Sequence, residues 1–134
     1  MTTIAELQER AYRQSADKGF HDNEPTEGRA LLSLNAERIA LMHSELSEAL
    51  EELRSGRQPN ETYYSGVIEF PSAADLLDGV PLGGKPEGVP SELADVVIRI
   101  LDFCGANKID LEAIITEKLD YNATRTPMHG GKKF

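Results

Sequence analysis

The sequence predicts an all-α protein: a helical bundle of about four main helices with a long irregular insertion between the second and third. Three observations predict it. Apolar residues recur at spacings of three and four over four separate stretches. Glycines and prolines crowd into one segment, at about 55–90. No internal repeat or low-complexity tract breaks the pattern. The 134 residues are read as a single domain, 1–134, whose 40% hydrophobic content suffices for a core and whose 6% aromatic content, without tryptophan, makes that core aliphatic.

The first helix is expected over Thr3 to Asp17, where Ile4, Leu7 and Ala11 share a face, Thr3 and Glu6 have capping-box spacing, and Gly19 stops the chain. Phe20 to Gly28, with Asn23 and Pro25, reads as a connection. The second helix spans about Arg29 to Arg54, with Leu31, Leu34, Ile39, Met42, Leu46, Ala49, Leu50 and Leu53 on one side as a bundle face and Ser55-Gly56 as its stop. The insertion then carries Pro59, Pro71, Pro81, Pro86 and Pro90 among many glycines, which forbids a long helix. Thr62 to Phe70 reads as a short extended segment and Ala73 to Leu77 as a helical turn. A third helix is expected from an N-cap at Ser91 to about Cys104, ending at Gly105, and a fourth from an N-cap candidate at Asp110 to about Arg125. A basic tail at about 126–134 follows, with Lys132 and Lys133 and no acid.

Composition excludes several functions. Acids outnumber bases, 23 to 14, for a formal charge of −9, which argues against binding a nucleic-acid backbone. The single cysteine, Cys104, rules out an intramolecular disulfide and any cysteine zinc cluster, and suits a reducing compartment. No apolar run approaches the ~18 residues of a membrane span, and Met1 to Arg10 is polar and amphipathic instead of a signal peptide, so a cytoplasmic protein without membrane partners is expected.

Charge placement on the helices is more specific. At about 100° per residue, Glu45, Glu48 and Glu52 line one border of the apolar stripe of the second helix. The third helix is apolar over most of its circumference and is expected to be buried, with Glu92, Asp95, Arg99 and Asp102 on one narrow stripe. Each pattern has a plain explanation: a solvated rim for the glutamates, and for Glu92 and Asp95 the helix dipole, with Asp95 and Arg99 spaced as an ion pair. Facing each other on antiparallel helices, however, the two i,i+3 acid pairs could surround one or two hard cations with oxygen ligands, which suits Mg²⁺ and phosphate chemistry. The last helix adds Lys118, Asn122 and Arg125 on a face that begins as apolar.

The order Glu45-Leu-Ser-Glu48, Glu92-Leu-Ala-Asp95 and Glu117-Lys118-Leu-Asp-Tyr-Asn122-Ala-Thr-Arg125 resembles the MazG-like all-α nucleoside triphosphate pyrophosphohydrolases. The resemblance implies a nucleoside triphosphate substrate, ribo or deoxy, hydrolysed to the monophosphate and pyrophosphate with Mg²⁺, for which Mn²⁺ could substitute. It implies metal ligation by Glu45, Glu48, Glu92 and Asp95, and substrate binding by Lys118, Asn122 and Arg125. It also implies a homodimer or homotetramer that completes the bundle. Two departures stand out: the segment between Glu48 and Glu92 exceeds the family's usual gap, and Ser44 occupies a place where some members carry a further acid. The general base is thereby left between Glu45 and Glu48, acting on a metal-held water that attacks the α-phosphorus in line.

For the nucleobase the sequence offers His21, which could stack from its connection although a lone loop histidine is more often a surface residue. His43 borders the core stripe and reads as structural. Tyr63 and Tyr64, with Ile68 and Phe70, equip the insertion as a lid, a base pocket, an oligomer contact or a small satellite core. The rival reading is a noncatalytic helical interaction module in which the acid stripes are structural.

Overall fold

The computed structural model describes residues 1–66 and 84–125 in full, together with the backbone of 76–77 and 80–81. The chain is all-α with a little sheet: α1 (Ile4–Asp17), α2 (Gly28–Arg54), β1 (Tyr63–Ser65), β2 (Leu76–Leu77), β3 (Val80–Pro81), β4 (Lys85–Glu87), α3 (Val89–Ala106) and α4 (Leu111–Ala123). It divides into two compact units, Met1–Glu24 with Leu101–Phe134, and Pro25–Ile100.

In the first unit the caps follow the sequence closely. Thr3 Oγ1 accepts from the Glu6 amide at 3.1 Å, and Asp110 Oδ1 accepts from that of Ala113 at 3.1 Å, each satisfying a donor that the first helical turn leaves open. α1 ends in a Schellman motif: Phe20 N–H donates to Ser15 O and Gly19 N–H to Ala16 O, with Gly19 at φ +88°. α1 is tied to the chain that opens α4 by Gln8 Nε2 donating to Ile109 O at 2.7 Å and by the Ala5 amide donating to Glu112 Oε1 at 3.4 Å.

Gly105 does not end α3. It lies inside the helix, where an added Cβ would stand 2.6 Å from Tyr12 Cβ, so its lack of a side chain is what lets α1 approach. The helix stops at Lys108, which takes φ +55° and closes the same Schellman pair, with Ile109 N–H on Cys104 O at 2.9 Å and Lys108 N–H on Gly105 O at 3.4 Å. Leu101 and Cys104 are buried here. α4 ends at Ala123, short of Arg125, with Thr124 as its cap.

In the second unit α2 runs unbroken to Arg54, and Arg57 N–H on Glu52 O with Gly56 N–H on Leu53 O forms another Schellman end. The expected extended segment holds β1, antiparallel to β4 with Tyr63 opposite Glu87 and Ser65 opposite Lys85. The expected helical turn at Ala73 to Leu77 is corrected where it is described: Leu76 and Leu77 pair with Pro81 and Val80 as a short hairpin. Residues 73–75, Ile68, Phe70 and the tail 126–134 lie outside the described residues.

α3 begins at Val89, so Ser91 is not its N-cap. Pro90 occupies the first turn, where a missing N–H breaks no hydrogen bond, and Ser91 Oγ donates backward to Pro86 O at 2.9 Å. Ala49, Val89 and Val96 are buried, but Leu46, Leu50, Leu53, Leu93, Val97 and Ile98 remain 45–55% exposed. The expectations of a buried third helix and a covered stripe on the second are therefore corrected for the single chain: among the described residues, these apolar side chains of α2 and α3 are left open to solvent. His43, expected at the core border, is exposed. Among the described residues no helix is long and apolar enough to cross a membrane.

Candidate metal centre

The helical period that aligns Leu46, Ala49 and Leu53 also carries Glu45, Glu48 and Glu52 along one edge of α2. Glu92 and Asp95 stand in the opening turns of α3, where acids favour the helix dipole. The fold brings the two sets together: carboxylate oxygens of Glu45, Glu92 and Asp95 all lie within 4.8 Å of one another. The carboxylate oxygens of Glu52, Glu87 and Glu92 likewise lie within 4.8 Å of one another, so Glu92 belongs to both triads.

Burial first, and crowding second, shift the protonation of two of these acids. Burial pushes the Glu92 carboxyl above the ordinary carboxylate value, and the charges of Asp95, Glu45, Glu48 and Glu87 push it further. Asp95 is raised as well, by burial and then by Glu45, although Arg99 and Lys85 pull it back. Arg99 Nε donates to Glu45 Oε1 at 2.8 Å. The ion pair expected within α3 thus runs to α2 instead, because the long guanidinium stem reaches the neighbouring helix.

Glu52 and Glu87 escaped the assignment made from sequence. Glu52 had a signal, sitting seven residues after Glu45 on the same edge of α2; Glu87 had none, since it lies on a short strand that no periodicity marks. Both are held by neighbours. Tyr63 Oη donates to Glu52 Oε1 at 2.9 Å and Oε2 at 3.1 Å, which raises the phenol's own pKa. Ser65 Oγ donates to Glu87 Oε1 at 3.0 Å, and Lys85 Nζ stands 3.5 Å from the same oxygen. Arg57 lies 3.8 Å from the centroid of the Tyr63 ring while pairing with Glu61 at 2.6 Å.

The donor set suits a hard divalent cation in its chemistry: every candidate ligand is a carboxylate oxygen, and the oxygens of each triad lie within 4.8 Å of one another. Glu48 is exposed and outside both triads, but near enough to act on Glu92.

The cationic candidates belong to the first unit. Lys118 and Asn122 project from α4, Lys118 Nζ lying 5.5 Å from the Tyr121 ring centroid, and Arg125 follows the cap with its amide on Asn122 O. His21 corrects the expectation of a surface residue: its side chain is only 6% exposed, with both ring nitrogens engaged by carboxylates. An exposed ring face, which stacking on a nucleobase would need, is not what this residue presents.

No family model matches the chain, and neither a curated protein nor a solved structure matches it. The functional reading therefore rests on motif order and on the geometry of the acids.

Proposed function

We propose that this protein is a Mg²⁺-dependent nucleoside triphosphate pyrophosphohydrolase that converts a ribo- or deoxynucleoside triphosphate to the monophosphate and pyrophosphate. The observation that carries the reading is the meeting of Glu45, Glu92 and Asp95 within 4.8 Å, from two helices, at three of the four positions that the motif order marks as metal ligands. Those three, with Glu48 completing the set, would hold the ion. Bound there, Mg²⁺ supplies charge neutralisation at the phosphates and makes water a better nucleophile at neutral pH.

The side chains do the rest. Glu45 is engaged by Arg99, whereas Glu48 is exposed beside the cluster, so Glu48 is the group that takes the proton of the attacking water. Oxygen adds in line to the α-phosphorus as the bond to the bridging oxygen breaks, and pyrophosphate leaves. The motif order assigns Lys118, Asn122 and Arg125 to the phosphate oxygens, where their donors would offset charge on the leaving group. Leu46, Leu50, Leu53, Leu93 and Val97, all near half exposed, favour a homodimer or homotetramer as the working form.

A second reading draws on the Arg99–Glu45 pair, which is what an acid stripe built for structure would contain. In that case the chain is a noncatalytic interaction module. Pyrophosphate release from a panel of canonical and modified nucleoside triphosphates, with Mg²⁺, with Mn²⁺ and with EDTA, decides between them. EDTA-sensitive release that is lost in Glu48→Ala and Asp95→Ala, with helicity unchanged, is expected. No release from any nucleotide would leave the interaction module.

A further inference from the structure

The connection that follows α1 buries a histidine side chain between two carboxylates. His21 has a side chain only 6% exposed, yet Nδ1 stands 3.0 Å from Glu24 Oε2 and Nε2 stands 2.7 Å from Asp102 Oδ1. Tyr12, from α1, closes over the ring with centroids 4.8 Å apart. An ionised carboxylate only accepts hydrogen bonds, and a neutral imidazole has one N–H to give. Both carboxylates are served at once only by the imidazolium, with a donor on each nitrogen, and 2.7 Å lies in the range of a charge-assisted bond.

We propose that His21 is a pH-sensitive clamp: protonated, it bonds Glu24 within the connection after α1 and ties that connection to the last turns of α3 through Asp102, and loss of its proton releases it. Among the described residues, the titratable groups shown facing the ring are Tyr12 from α1, Glu24 from the connection and Asp102 from α3. Burial by itself would favour the neutral ring, but the hydrogen bonds and charges of Asp102 and Glu24 outweigh it and hold the imidazole above its ordinary value of 6.5. The clamp is therefore complete below pH 6.5, and its contribution is lost as pH rises through the raised value.

The test is a long-range proton–nitrogen NMR titration of the three histidines in the full chain, with His21 assigned by its absence in His21→Gln, alongside amide exchange across residues 19–24. The expected result is a His21 midpoint above 6.5, protons on both ring nitrogens at neutral pH, and a lower midpoint in both Asp102→Asn and Glu24→Gln. Exchange over the connection, corrected for its intrinsic pH dependence, should accelerate through that midpoint, by about tenfold for each unit of upward shift. A midpoint at or below 6.5, or exchange that ignores the His21 titration, would overturn the proposal. Should Asp102→Asn fail to fold, Glu24→Gln carries the same test from the connection itself.

Discussion

If the acid cluster holds Mg²⁺ as proposed, replacing Asp95 with Asn should stabilise the protein in EDTA and remove most of the stabilisation that Mg²⁺ gives the wild type. The oxygens of Asp95, Glu45 and Glu92 lie within 4.8 Å of one another. At that separation two unit charges repel by about 0.9 kcal/mol in bulk water and about 3.5 kcal/mol at an effective dielectric of ~20. The Asp95 residue is exposed to solvent even though its carboxyl is partly desolvated, so a figure near the lower one governs, and Arg99 and Lys85 offset part of it. Deleting the charge relieves two such repulsions and forfeits those attractions, a net gain of about 1 kcal/mol, or ~3–4 °C in melting temperature for a chain of this size. With Mg²⁺ at ~100 times its Kd the wild type gains about 2.7 kcal/mol, roughly 10 °C, while the variant, lacking one ligand, gains little. The order of melting temperatures should therefore invert between EDTA and saturating Mg²⁺, measured by calorimetry on both proteins. If Asp95→Asn instead melts lower than wild type in EDTA, the carboxylate serves an ion-pair network and the crowding argument is refuted. Equal responses of the two proteins to Mg²⁺ would remove Asp95 from the ligand set.

The acid pKa values carry their own expectation. Because Glu92 and Asp95 are raised, the folded state holds more protons than the unfolded chain between the ordinary and raised values, so stability without metal falls as pH rises through that window. Urea melts from pH 4 to 7 in EDTA should show this slope, reduced in Asp95→Asn. Lys108→Gly should stabilise the fold by about 0.5–1 kcal/mol, since a left-handed residue with a Cβ is strained by ~1–2 kcal/mol and glycine returns part of that gain as entropy of the unfolded chain. A higher urea midpoint at unchanged m-value is the expected signature. Gly105→Val should lower stability by about 1–3 kcal/mol through overpacking, because the 2.6 Å approach to Tyr12 Cβ involves an atom next to the α1 backbone and not a flexible tip. An unchanged midpoint would show that α1 yields without strain.

What was legible in the sequence was local. Thr3 and Asp110 cap their helices, and Gly19 and Gly56 close theirs, because each effect acts within one turn of backbone and depends only on nearby residues. The helical period alone put Glu45, Glu48 and Glu52 on one edge of α2. Other local signals misled where the outcome depended on distant atoms. Gly105 looks like a stop and is a contact surface for Tyr12, while Lys108 performs the stop with a side chain that no propensity scale would choose. Ser91 looks like a cap and instead bonds Pro86.

Only the tertiary structure decided who meets whom. Glu87 joins the acids because the pairing of β1 with β4 carries it beside α2 and α3, and Arg99 turns to Glu45 because the helices lie close enough for its reach. His21 is enclosed instead of exposed because Glu24, Asp102 and Tyr12 converge on it from three segments. The sequence by itself determined that four helices form, both ends of α1, the end of α2, the start of α4 and the edge of α2 that carries its glutamates, since those follow from a fixed backbone period and nearest-neighbour hydrogen bonds. Partner choice, burial and the shifts in protonation arise from through-space contacts between residues far apart along the chain, which that period does not encode.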